Sequence, residues 1–376
     1  MESDLELVQR IMLDFAARTG LDPVSEKPRR YLWTDAFAVC NFLELHRQTE
    51  EKRHLDLAIA LVDQVHRTLG RHRADDSRSG WISGLDEKSG EEHPTIGGLR
   101  IGKPLPERAV DEPPDEELEW EQDGQYYHYL TKWMHALSRL SIVSDETKYA
   151  IHGIELARAA HKAFAYTPVA GGRRRMYWKM SIDLSRPLVP SMGLHDPLDG
   201  YVTYLELQTI ASRIPALSEL NLKPELADMA TICRGGSWVT DDPLGIGGLL
   251  FDASRIGQLM VLGAPDHSRL LRKVLDSAQP GVESFSIGAA LCHPAQYRLA
   301  FRELGLSLGL KAVERLNALA KQHPEVLDAR KDLVRRTMEM MSFASVGTKI
   351  ERFWTEPTNR TGSTWIDHQD INAVML

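Results

Sequence analysis

The sequence predicts an all-α protein, an (α/α)6 toroid of six inner helices inside six outer ones. Three observations lead there. Across the 376 residues strand patterns are almost absent, while apolar residues recur at helical spacing along most of the chain. The helices so marked are of two kinds, and the kinds alternate. One helix entrance is also written twice, as "GLHDPLDGYVTYLEL" from Gly193 and as "TDDPLGIGGLLFDAS" from Thr240. Similar units repeated at intervals of roughly 40–50 residues indicate stacked helical hairpins.

Charged, plainly amphipathic stretches occupy residues 3–18, 51–71, 146–165, 222–233, 266–277 and 324–341. In the second of these, Leu55, Ile59, Val62, Val65 and Leu69 form one stripe with charges opposite. Between them lie stretches richer in aromatic, small and apolar residues: 33–47, 125–141, 199–213, 244–262, about 295–320 and 365–376. A helix apolar over much of its circumference is buried on several sides, whereas an amphipathic one keeps a wet face. The first kind is therefore outer and the second inner.

Each Asp-Pro-Leu would open an inner helix. Asp is a natural N-cap, and Pro fits the first turn, where its missing N–H costs nothing. Asp35, Asp123, His293 and Asp367 mark comparable starts, so all six inner helices would begin on one rim. Capping alone also accounts for an Asp before Pro. Two long non-helical segments, 72–124 and 166–198, break the rhythm. Segments of that length in a compact helical protein are usually functional or disordered. Trp81, Leu99, Ile101, Tyr177, Trp178 and Met180 make these two too apolar for linkers, and they are expected to fold over the rim as insertions in a single domain spanning 1–376.

Composition limits the function. The formal charge of −8, with no basic run longer than "GGRRR", argues against a nucleic-acid partner. No uncharged apolar run reaches the roughly 18 residues of a membrane span. The acidic, amphipathic start lacks the cationic and apolar regions of a signal peptide, so a cytoplasmic location and reduced Cys40, Cys233 and Cys292 are expected. Nothing in the sequence indicates the oligomeric state.

Alternating inner and outer helices, with aromatic and acidic residues at the inner starts, resemble the six-hairpin (α/α)-barrel enzymes. These include unsaturated glucuronyl hydrolases, other inverting glycosidases and the N-acylglucosamine 2-epimerases. The resemblance is one of pattern over nearly the whole chain, and it implies carbohydrate chemistry on a small-molecule or oligosaccharide ligand, without a cofactor. A second toroid, that of the lanthionine cyclases, holds zinc with one Cys and a later Cys-His pair. Cys233 and Cys292-His293 resemble that set, but Pro294 stands where those enzymes have Gly, so no metal is assigned.

Inverting glycoside hydrolysis needs two carboxyl groups facing across the sugar. Asp123 and Asp199, each after a long segment, before an aromatic-rich helix and followed by Gly, form the expected catalytic pair, with His195 beside them. In that reading Asp196 only caps its helix. Trp33, Tyr127, Trp178, Tyr201 and Trp365 are the expected sugar platforms. Asp35, Arg100, His128, His293 and His368 complete the proposed binding rim. The rim histidines support the alternative, epimerisation, in which one group removes a proton beside a carbonyl and another returns it. A further alternative is a non-catalytic member that only holds a ligand or peptide.

Overall fold

A computed structural model describes residues 3–327 and 331–376. The chain divides into two compact units, 1–234 and 235–376. In the first lie α1 (Asp4–Thr19), α2 (Leu32–Thr49), α3 (Lys52–Leu69), the short α4 (Glu87–Glu92) and α5 (Glu116–Glu121), α6 (Tyr127–Ser144), α7 (Thr147–Phe164), α8 (Asp196–Arg213) and α9 (Lys223–Cys233). The second holds α10 (Pro243–Val261), α11 (Ser268–Ile287), α12 (Ala300–Gln322), α13 (Pro324–Leu327), α14 (Lys331–Met341), α15 (Ala344–Thr355), α16 (Ser363–Ile366) and α17 (Gln369–Met375). The all-α expectation is met: strands β1 (Gln125–Tyr126), β2 (Ala165–Tyr166), β3 (Arg175–Met176), β4 (Lys179–Met180) and β5 (Pro187–Val189) are two or three residues long.

In the first unit α2, α6 and α8 pack side by side, backed by the amphipathic α3, α7 and α9. Their burial follows the expected division. Phe42, Trp133, Leu137 and Tyr204, on α2, α6 and α8, are completely buried. In the second unit α10 lies directly on α12, and bare glycines allow it: a methyl on Gly247 would sit 2.8 Å from the backbone nitrogen of Leu306. Two expectations need correction here. The inner helix expected over 365–376 is only one turn plus the seven-residue α17, broken where Asp367 ends α16. Helix α15 was not expected at all, because Val346, Gly347 and Thr348 are weak helix formers. It forms because Val346, Ile350 and Trp354 are buried on one face. The stretch expected over 324–341 appears as α13 and α14, with 328–330 outside the described residues.

The two long segments are ordered by pairing with each other. β4 lies between β1 and β5, with Gln125 opposite Met180. Arg78 donates to Asp76, Glu107 and Asp183, and Glu107 accepts from the Ile182 amide at 2.6 Å. Trp81, Leu99 and Ile101 are buried beneath them. This covering layer leads straight into α6 and thereby builds the wall of the site.

Candidate functional site

The site lies in the first unit, where the starts of α6 and α8 meet the covering segments. Three rungs join the two helices. His128 Nδ1 stands 3.9 Å from Asp196 Oδ2. Lys132 Nζ pairs with Asp199 Oδ1 at 2.9 Å, while the Thr131 hydroxyl donates to Asp199 Oδ2. His135 Nδ1 lies 2.9 Å from Glu206 Oε2, and Ser138 donates to Oε1 of the same carboxylate at 2.5 Å. On α6 the four polar positions 128, 131, 135 and 138 follow the three-to-four spacing of one helix face. Read alone, Lys132, His135 and Glu206 look like ordinary helix polarity. Their partners lie on another helix, so no local signal marks them.

The first rung is the unusual one. His128 Nδ1 and Asp196 Oδ2 are both buried, and neither has a hydrogen-bond partner. Burial, and secondarily the neighbouring Asp199 charge, raises the Asp196 carboxyl to about 7. Its place at the start of α8 acts in the opposite direction, since a helix N-terminus favours a carboxylate by about 0.3–1 kcal/mol. A rise from 3.8 to about 7 corresponds to about 4 kcal/mol, so desolvation wins. Burial and then the Lys132 ammonium push the His128 imidazole down to about 3, leaving it neutral. The ring still exposes 28% of its side chain. It stacks on Tyr126 at 5.4 Å and Trp178 at 6.0 Å and meets the edge of Tyr129 at 4.7 Å. Trp120, on α5 and 49% exposed, extends that aromatic wall against Trp178.

Asp196 does not cap α8. His195 occupies the cap position with no side-chain cap bond, and Asp196 is the first helical residue. The echo at Asp242 does what both copies were expected to do, its carboxylate accepting the Gly245 amide at 3.1 Å. The two Asp-Pro-Leu motifs therefore serve different ends.

Asp123 is drawn into a different network. It is completely buried. Its Oδ2 accepts from Arg100 at 2.9 Å and Arg73 at 3.4 Å, and its Oδ1 from the Gly102 and Lys103 amides at 3.0 and 3.3 Å. Arg100 spends its remaining N–H groups on the carbonyls of Arg71 and Thr68. Asp123 and Arg100 thus hold the covering segment together. Asp35 is likewise engaged, with the buried Arg30 at 3.3 Å and the Tyr31 amide at 3.0 Å.

Gly124 and Gly200, which follow the two expected catalytic acids, are packed against protein. A methyl on Gly200 would lie 2.9 Å from Tyr127 Cε1 and 2.7 Å from Met229 Cε, and one on Gly124 2.7 Å from the Met180 carbonyl. Tyr127 is completely buried and donates to Tyr204 Oη at 3.0 Å. Tyr201 is partly exposed on α8, and burial raises its phenol. Trp33 is buried against Phe37 at 4.4 Å. In the second unit Trp365 is core, stacked on Trp354 at 5.6 Å, while His368 meets the Phe301 ring and His293 is exposed. Cys233 is buried, Cys292 is exposed, and among the described residues no three His, Cys, Asp or Glu side chains form a metal-binding group.

No protein-family model matches the sequence, and no curated protein matches it. Solved structures do. A crystal structure of D-mannose isomerase aligns at TM-score 0.46 and 12% identity, over 91% of this chain and 86% of that one. A cellobiose 2-epimerase from Spirochaeta thermophila DSM 6192 aligns at 0.49 and 12%, over 98% and 96%. At these values no residue role passes from either protein to this chain. Among the described residues no helix is long and apolar enough to cross a membrane.

Proposed function

We propose that the first unit carries an acid–base site for a small neutral polyhydroxy carbonyl compound of the sugar class, and that its reaction is proton transfer at the carbon beside the carbonyl. The observation that carries this reading is the His128–Asp196 rung. A carboxyl titrating near neutrality can both accept and return a proton, the property such a shuttle needs. A neutral imidazole beside it donates a hydrogen bond to the carbonyl oxygen as negative charge develops there. Lys132 and Thr131 hold Asp199 as the fixed neighbouring anion, and Tyr126 and Trp178 offer apolar faces to the ring C–H groups.

This favours epimerisation or isomerisation over hydrolysis. Inversion by two carboxyl groups needs a second acid open to the cleft. Asp123, the expected partner, instead has both oxygens committed to Arg73, Arg100 and backbone amides. The reading also favours an uncharged ligand. The cations Arg30, Arg100 and Lys179 are occupied by Asp35, Asp123 and Glu119.

The test is solvent exchange. The full chain is incubated in D2O with free aldoses and ketoses, and loss of the signal of the proton beside the carbonyl, at C2 of an aldose or C1 of a ketose, is followed by NMR. Exchange is expected with at least one sugar, rising with pH through about 7 as Asp196 ionises. Asp196→Asn should abolish it. Exchange undiminished in Asp196→Asn, or none with any sugar, refutes the assignment.

A further inference from the structure

Residues 190–194 are the least anchored part of the covering layer. Strand pairing ends at Val189, whose carbonyl accepts from the Trp178 amide, and helical bonding resumes at His195, whose carbonyl accepts from the Asp199 amide. Among the described residues the five between make no hydrogen bond. Two of them, Met192 and Leu194, expose apolar side chains at the surface. Yet this segment lies on the most sensitive group of the site. A methyl on Gly193 would lie 2.5 Å from Asp196 Cγ and 2.6 Å from its Oδ1. Such separations lie well inside van der Waals contact, so a side chain at 193 must displace the segment or the carboxyl. The segment thus closes over the carboxyl with bare backbone and gives its oxygens no hydrogen bond in return.

We propose that residues 190–194 form a lid on Asp196, with Gly193 as the positioning residue that lets the lid touch the carboxyl: closed, it keeps the group out of water; open, it admits the ligand, over which Met192 and Leu194 then fold. The inference rests on the proposed role of Asp196. Three features make it a lid rather than fixed packing. No hydrogen bond must break when it lifts. Its apolar residues, Met192 and Leu194, are already 41% and 49% exposed. Asp196, 8% exposed beneath it, gains hydration when uncovered. The groups that face Asp196 from the packed elements are Tyr127, His128 and Lys132 on α6 and Asp199 on α8. Moving the lid changes none of these charges, so the lid acts through solvation alone.

The test needs no substrate. In the full chain with 13C-labelled aspartate, the Asp196 carboxyl is titrated by NMR, its resonance assigned with Asp196→Asn. Gly193→Val forces the segment off the carboxyl, and the Asp196 midpoint is expected to fall by at least one pH unit towards the ordinary carboxylate range. Gly193→Ala should move it the same way by less, while Met192→Ala, altering only an exposed side chain, should leave it in place. Melting temperatures confirm that each variant is folded. A folded Gly193→Val with an unchanged midpoint overturns the lid. If the midpoint falls but the sugars show no exchange beside the carbonyl in the unaltered protein, the lid stands and the proposed reaction fails.

Discussion

Replacing Asp196 by Asn should stabilise the protein at pH 8, an unusual outcome for a buried position. The acid titrates near 7 in the fold and near 3.8 in a model peptide. The sign follows from proton binding. Between these values the folded chain holds a proton that the unfolded chain has released, so stability falls as pH rises. The slope approaches about 1.4 kcal/mol per pH unit for one proton. Above pH 7 the fold carries a desolvated carboxylate at a cost of up to about 4 kcal/mol. Asn is nearly isosteric and cannot ionise. Denaturant unfolding of Asp196→Asn is therefore expected to show a gain of roughly 2–4 kcal/mol over the native sequence at pH 8, shrinking towards zero near pH 4. Asp242→Ala serves as the control for the same motif. It loses a cap bond to the Gly245 amide and an ion pair with Arg302, so it should lose about 1 kcal/mol with little dependence on pH. If Asp196→Asn instead costs stability at pH 8, as Asp242→Ala does, Asp196 is an ordinary structural acid and its proposed catalytic role goes with it. A group that destabilises the fold in the protonation state it needs for its chemistry is common at functional sites.

Two further outcomes are expected. His152, held neutral by burial with its pKa lowered to about 4, favours the fold fully above pH 6.5, and that contribution is lost as pH falls towards 4. It is worth at most about 3 kcal/mol, so His152→Asn should flatten the decline in unfolding free energy between pH 6.5 and 4; an unaltered slope counts against it. Gly200→Ala should cost about 1–3 kcal/mol in thermal unfolding through overlap with Tyr127 and Met229, whereas Gly248→Ala, with nothing within 4 Å, should gain about 0.5–1 kcal/mol; equal effects would refute the packing argument.

Helical periodicity by itself determined the all-α class and most of the long helices, because a repeating apolar stripe is a local property that one neighbouring surface suffices to fulfil. Apolar content likewise marked 72–124 and 166–198 as too apolar for linkers. It could not determine α15, where weak local propensity is overruled by burying Ile350 and Trp354. Above all, it could not separate the two Asp-Pro-Leu entrances. They share Asp-Pro-Leu, and at Asp242 local chemistry prevails and the side chain caps its helix. At Asp196 the near neighbours Gly193 and Asp199 lie against the carboxyl, and the tertiary structure adds His128 and Lys132 from another helix. The same dependence on distant chain turned Asp123 into an anchor, because Arg73 and Arg100, remote in sequence, fold onto it. A carboxyl group's chemistry is set by what desolvates it and what charge stands beside it, and residues remote in sequence supply part of that, Lys132 at Asp196 and Arg73 and Arg100 at Asp123.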